Sequence, residues 1–237
     1  MKKTKVIPIL TGTAQAFLLI QEGKFGLVDS GNRNTEKRII KAVTSRGLDM
    51  KDLRFIFLTH THFDHAGNVA VLKEISGAPI IVHQSEVGFL REGFHPIPNG
   101  TNPLYKFIVR LGRTFANKKF SSFGAVEADK LFEKCLDLQS FGFDAEIIHT
   151  PGHTCGSSIL IVDRMAFVGD TVFNIMGIKY PLFANDEMQL LKSWQQLLDL
   201  DVDFYYPAHG KRIKKSELVK VVNKQCGSTP PALSVHA

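Results

Sequence analysis

Cysteine is scarce in this 237-residue chain, and tryptophan scarcer still, with one residue. The three cysteines, Cys135, Cys155 and Cys226, stand far apart. An odd number without paired spacing excludes a disulfide framework, and it leaves a cysteine-built structural zinc module without ligands. A reducing cytoplasm is the expected setting. No apolar run approaches the ~20 residues that a bilayer-crossing helix needs, so no membrane partner is expected. Near the start, Ala14-Gln15-Ala16 resembles a signal cleavage site. The apolar stretch before it is interrupted by Pro8, Thr11 and Gly12, so it reads as a first strand. No repeat or low-complexity segment is present. Hydrophobic residues make up 44% and charged residues 22%, which excludes disorder, collagen and coiled coil as the main architecture.

What is present is a basic balance, 29 cations against 23 acids, net +6. The excess is segregated. Lys2, Lys3 and Lys5 open the chain; Lys106, Arg110, Arg113, Lys118 and Lys119 form a second group; Lys211, Arg212, Lys214 and Lys215 form a third. Such groups attract anions or simply face water.

Periodicity gives strands and helices in alternation, in similar order in both halves. Ala16–Ile20 and Phe25–Val28 read as a hairpin. A helix capped by Asn34 or Thr35 runs to Gly47, Phe55–Leu58 reads as a strand buried on both faces, and Val69, Leu72 and Ile75 mark a helix ending at Gly77. Pro79–Val82, Glu146–Ile148, Ile159–Val162, Ala166–Val168 and Phe204–Tyr206 read as further strands, with a helix around Met188, Leu191, Trp194 and Leu197. Residues 85 to 130 form an irregular insert with one clear helix. On it Leu104, Phe107, Ile108, Leu111 and Phe115 make an apolar stripe for packing, opposite Lys106, Arg110 and Arg113. The basic face is either solvated or part of a lid over a site that receives an anion. Two sheets face to face with helices outside make one layered domain over residues 1–225, followed by a flexible tail, 226–237, that contains His236.

The chemistry concentrates in residues 59–67, Thr-His-Thr-His-Phe-Asp-His-Ala-Gly, directly after a buried strand. In extended chain, side chains two apart point the same way, so His60 and His62 face one point. The chain then turns into a helix, and Asp64 and His65 serve a second point. Imidazole and carboxylate suit zinc, iron or manganese. Four ligands cannot complete two sites, but further ligand types stand at other strand ends beside glycine: His153 in Thr150-Pro-Gly-His153, Asp170 after Gly169, and His209 before Gly210. His83, His95 and His149 belong to no motif and read as surface or core histidines; Cys155 reads as a buried thiol.

These pieces resemble the metallo-β-lactamase-fold hydrolases. Val28-Asp-Ser-Gly31, the 59–67 block, Thr150-Pro-Gly-His-Thr154, Gly169-Asp-Thr171 and Ala208-His-Gly210 occur in that family's order, and the matched elements run from about residue 10 to residue 215. The resemblance implies an α/β, four-layer αββα sandwich with a two-metal cleft, and two divalent ions as cofactors, zinc being the expected metal. It implies that His60, His62 and His153 hold the first ion and that Asp64, His65 and His209 hold the second. Asp170 would bridge them, and Asp29 would orient a ligand from behind. Asp64 is also the expected catalytic carboxylate. Phe173, Lys211 and Arg212 are expected to touch the substrate.

Within the family, Asp170 stands where cysteine-bearing β-lactamases carry cysteine. Phe173 stands where acyl-homoserine lactonases carry a tyrosine. Gly169-Asp-Thr-Val-Phe173 is similar to glyoxalase II, although only 28 residues follow His209, too few for the glutathione-binding domain of its longer forms. The expected activity is hydrolysis of a small, anionic ester, thioester or lactone by a metal-bound hydroxide. The alternatives are a one-iron persulfide dioxygenase of the same fold and an RNA-processing nuclease. A small molecule rather than nucleic acid is the expected partner, and the oligomeric state is left open.

Overall fold

Two six-stranded sheets carry the chain in this computed structural model, which describes residues 3–115 and 121–226. Lys2, Lys118, Lys119, His236 and the expected tail beyond Cys226 lie outside the described residues. The first sheet contains β1 (Lys5–Leu10), β2 (Gln15–Gln21), β3 (Lys24–Val28), β4 (Leu53–Phe57), β5 (Ile80–His83) and β6 (Lys130–Phe132), side by side in chain order. The β1–β2 and β2–β3 pairs are antiparallel; β3 to β6 are parallel. The second sheet holds β7 (Cys135–Asp137), β8 (Ala145–His149), β9 (Ser158–Val162), β10 (Met165–Gly169), β11 (Phe204–Pro207) and β12 (Ile213–Lys214), also in order. Only its β10–β11 pair is parallel.

The helices are α1 (Glu36–Thr44), α2 (Phe63–Ala66), α3 (Val69–Ser76), α4 (Val87–Glu92), α5 (Pro103–Phe115), α6 (Glu187–Asp199) and α7 (Lys215–Cys226). Strand alternation divides the apolar residues into layers. In β2, Phe17 and Leu19 face the second sheet, while Ala16 and Leu18 face the helices outside. In β9, Leu160 and Val162 face inward while Ile159 packs with Trp194 and Leu197 of α6. Three apolar layers result: α1 and α3 on the first sheet, sheet on sheet, and α6 with α7 on the second. This is an αββα sandwich. The middle layer is aromatic: Phe17 meets Phe167, and Phe55 meets Phe143, each pair edge to face with ring centroids 5.1 Å apart. Truncating one of these buried rings to alanine costs about 3–5 kcal/mol.

Two expectations are corrected. The apolar stripe of α5 does not pack: Leu104, Phe107, Ile108 and Leu111 are 45–62% exposed. The helix is seated instead through the neighbouring face, by buried Val109 and by Tyr105, whose ring lies 5.3 Å from that of Phe183. Cys226 is the last residue of α7 rather than the first of a tail, because Leu218 and Val222, one turn apart, bury that helix against the second sheet. No helix among the described residues is long and apolar enough to cross a membrane.

Candidate metal centre

Every ligand type noted in the sequence stands just past the carboxyl end of a strand. Asp29 follows β3, His60 and His62 follow β4, His153 follows β8, Asp170 follows β10 and His209 follows β11. Backbone hydrogen bonds tie these ends together. The Ser158 N–H donates to the Thr59 carbonyl at 2.9 Å across the two sheets, and the Ala208 N–H donates to the Gly169 carbonyl at 3.0 Å. Residue 62 keeps an extended backbone before the chain enters α2, which turns His65 back beside His60, with ring centroids 3.9 Å apart. Gly210 has φ +103°, and a Cβ there would meet the Asn174 carbonyl oxygen at 1.9 Å. Glycine therefore lets the 174 segment run against the turn that holds His209.

The seven side chains converge. His60, His62 and His153 bring ligand atoms within 4.8 Å of one another, and so do His60, His65 and Asp170, and Asp64, His65 and His209. His62 Nδ1 lies 3.0 Å from His153 Nε2. Asp170 approaches His65 Nε2 at 3.2 Å, His209 Nε2 at 3.3 Å and His153 Nε2 at 3.4 Å, and Asp64 lies 3.4 Å from His209 Nε2.

The far nitrogen of each ring decides what the near one can do. His62 Nε2 lies 3.2 Å from the Pro96 carbonyl, His153 Nδ1 lies 2.9 Å from that of Phe183, and His209 Nδ1 lies 3.0 Å from that of Thr13. A carbonyl only accepts, so each of these nitrogens carries the hydrogen. His65 Nδ1 donates to Asp29 at 2.9 Å. His60 Nδ1 meets the Thr59 hydroxyl at 3.2 Å; that hydroxyl donates its hydrogen to Asp29 and so accepts from His60. In neutral rings the near nitrogens therefore present lone pairs, and those of His62 and His153 face each other. His60 Nε2, His65 Nε2 and Asp170 Oδ1 are buried without a hydrogen-bond partner. Buried polar atoms are rarely left so. A divalent cation resolves the facing lone pairs and the orphaned atoms together, so the residues fit such an ion.

Charge divides the site. Burial, then the neighbouring imidazoles His65, His62 and His153, hold His60 well below the ordinary histidine range. Burial likewise lowers His62 and His153. Burial would also lower His65 and His209, but Asp170 outweighs it with Asp29 at the first and with Asp64 at the second, raising His65 well above its usual value and His209 to about 10. Burial would raise Asp170, yet the charges of His209, His65 and His153 hold it well below the carboxylate range. The three-histidine half is thus neutral, and the Asp-containing half carries protons that an entering cation displaces.

Asp29 is buried at φ +59° and takes hydrogen bonds from the Thr59 N–H at 2.8 Å, from the Thr59 hydroxyl and from His65. Of the expected substrate contacts, the buried Phe173 ring lies 4.9 Å from that of His209. Lys211 lines a cavity of about 570 Å3 with Thr13, Asn174, Met176 and His209. Arg212 does not reach it: its guanidinium lies over the Phe204 ring, 4.5 Å from the centroid. Cys155 is exposed, not buried. His83 and His149 stack on each other 3.9 Å apart, away from the cleft.

His95 is a core histidine, one of the two expected alternatives, and its partner Glu86 carries no motif in the sequence. Glu86 is fully buried. Burial would raise its carboxyl, but the His95 hydrogen bond and charge, with the Thr61 and Thr154 hydroxyls, hold it at about 2. His95 stacks on Phe89 at 3.8 Å, with its ring 4.4 Å from that of His62.

The sequence matches the family model of the metallo-beta-lactamase superfamily over residues 11–209. It is 28% identical over 203 residues to a probable metallo-hydrolase of Methanocaldococcus jannaschii, covering 84% of this chain and 88% of that protein. It is 26% identical over 200 residues to a hydroxyacylglutathione hydrolase of Methylobacillus flagellatus, covering 84% of this chain and 63% of that longer protein. Among solved structures, an archaeal metallo-beta-lactamase superfamily protein from Sulfolobus tokodaii superposes with a TM-score of 0.68 at 19% identity, covering 99% of this chain and 90% of that one, which is a likeness of fold.

Proposed function

The chain belongs to the metallo-β-lactamase superfamily, and from that premise we propose that it is a two-metal hydrolase of small anionic esters, thioesters or lactones. It is a metal-dependent hydrolase; the number of ions, their identity as zinc and the substrate are the proposal. One observation supports the reading: the far nitrogens of all five histidines are held by acceptors, which leaves the near nitrogens free to take metal. His60, His62 and His153 would hold one ion; Asp64, His65 and His209 the other; Asp170 both. Bound there, divalent cations supply hydroxide at neutral pH and positive charge for a developing oxyanion.

The chain's own residues do the rest. Asp64 accepts from the Thr13 hydroxyl at 3.2 Å, which fixes the oxygen nearest His209. Its side chain keeps 13% exposure, and there a carboxylate can exchange a proton with the reacting group. Phe173 walls the His209 side, and Lys211 adds a cation to the adjoining cavity, which favours an anionic substrate. The name of the hydroxyacylglutathione hydrolase relative supports the thioester arm.

The test is metal analysis of protein purified without added metal, followed by a panel of thioesters, lactones, phosphodiesters and β-lactams. Two zinc equivalents and chelator-sensitive hydrolysis of a thioester or lactone are expected. Full activity after exhaustive chelator dialysis would defeat the proposal. So would one iron per chain with oxygen consumption on a persulfide.

A further inference from the structure

Glu86 is a buried carboxylate that the reaction does not use. Its two oxygens hold two different loops. Oε2 accepts from the Thr61 N–H at 2.9 Å and from the Thr61 hydroxyl at 2.5 Å, and lies 3.2 Å from His95 Nδ1. Oε1 accepts from the Thr154 hydroxyl at 2.8 Å and from the Gly156 N–H at 3.1 Å. Thr61 stands between His60 and His62, and Thr154 directly follows His153. One side chain thus ties together the two loops that carry the three-histidine half of the centre. Its partner His95 precedes Pro96, whose carbonyl orients His62. The other half has its own buried carboxylate, Asp29, which holds His65 through Nδ1. Asp29 also reaches His60 through the Thr59 hydroxyl, whereas the contacts of Glu86 are confined to the loops of the three-histidine half.

We propose that Glu86 is a positioning residue that sets the metal affinity of the His60, His62 and His153 half independently of the Asp64, His65 and His209 half. The inference rests on the two-metal reading above. Only an ionised carboxylate offers acceptors alone to all four hydrogen-bond donors, the N–H and hydroxyl of Thr61, the Thr154 hydroxyl and the Gly156 N–H. Each oxygen serves one backbone N–H, and a backbone N–H cannot turn away. An amide in either orientation would set its NH2 group against the N–H of Thr61 or of Gly156. The loops must then part. There is no slack to absorb this, since a Cβ on Gly156 would already meet Glu86 Cγ at 2.5 Å.

The experiment titrates metal-free wild type, Glu86→Gln, Thr154→Val and Asp29→Asn with zinc against a competing chelator. Long-range 1H–15N correlation of the histidine rings reports which nitrogens become ligated, without reference to turnover. In Glu86→Gln, the His60, His62 and His153 signals should shift only at about 10- to 100-fold higher free zinc, the usual effect of losing a partner behind a ligand. His65 and His209 should titrate as in wild type. Asp29→Asn should weaken His65 and, through Thr59, His60, while His62 and His153 stay nearest wild type; Thr154→Val should give a smaller shift in the same direction as Glu86→Gln. Equal weakening of both halves, as a merely structural role would give, overturns the inference, and so does an unchanged three-histidine half. Should Glu86→Gln fail to fold by circular dichroism, Thr154→Val decides: it keeps the carboxylate, and an unchanged three-histidine half there is equally fatal. A wild type that takes only one equivalent defeats the two-metal reading instead. The Glu86 inference is then judged on that ion, and fails if its affinity is the same in the variant.

Discussion

Acid should unfold the metal-free protein partly through Glu86, and the amount can be worked out. Its carboxyl titrates at about 2 in the folded chain against an ordinary value of 4.5. A group with a depressed folded pKa stabilises above its unfolded pKa and loses that contribution as pH falls through the folded value. The full contribution above that window is about 3 kcal/mol, from about 1.4 kcal/mol per pH unit. Between about pH 6 and about pH 3 some 2 kcal/mol of it should disappear. In a domain of this size that corresponds to about 4–8 °C of melting temperature. The assay is thermal unfolding of metal-free wild type and Glu86→Gln across that range. The variant should start lower at neutral pH, because a buried N–H is left unpaired, and should then fall less steeply. Asp64 and Asp170 also titrate low, but they are common to both proteins, so the difference between the two curves isolates Glu86. Parallel curves would refute the reasoning, since they would mean that Glu86 has the same affinity for protons folded and unfolded.

Other perturbations separate the parts of the cleft. His62→Ala and Asp64→Asn should each abolish turnover while circular dichroism stays that of wild type; wild-type rates with metal still bound would remove their assigned roles. Lys211→Glu should lower kcat/KM on anionic substrates by up to about fivefold at low salt, whereas Arg212→Glu should leave it unchanged, because the Arg212 guanidinium lies over Phe204. Gly210→Ala should reduce zinc content to about one equivalent per chain, since its Cβ would drive the His209 turn off Asn174, and metal analysis reads this directly.

The ligand block was legible because three histidines and an aspartate within six positions stand out against any background. The layers were legible because strands and helices recur in similar order in both halves; which of the all-apolar residues Ala16–Ile20 face the second sheet was not. What held the ligands was not legible. Pro96, Phe183 and Thr13 contribute backbone carbonyls, which every residue possesses, so no side-chain pattern marks them. Glu86 is one of 23 acids in the sequence, and only the fold brings it against Thr61 and Thr154. The strands β6, β7 and β12 have two or three residues each, too few for an alternation to appear. On α5, periodicity identified an apolar stripe but could not say which face would be covered. Tyr105 and Val109 took that place, and the stripe stayed in water.

The anchoring carbonyls have a consequence for the insert. Pro96 orients His62 and Phe183 orients His153, and the two segments are joined to each other as well as to the rings. The Thr101 N–H donates to the Leu182 carbonyl at 3.0 Å, the Ala184 N–H to the Asn99 carbonyl at 2.9 Å, and the Thr101 hydroxyl to the Pro181 carbonyl at 2.7 Å. The insert between β5 and β6 is therefore built into the three-histidine half rather than laid over it. Movement of this segment would turn His62 and His153. By contrast, His65 and His209 are held by Asp29, just after β3, and Thr13, in the turn between β1 and β2. Apart from His60, which reaches Asp29 through the Thr59 hydroxyl, the two halves of the centre thus hang from different parts of the fold. That separation is the physical reason to expect one half to be weakened while the other is spared.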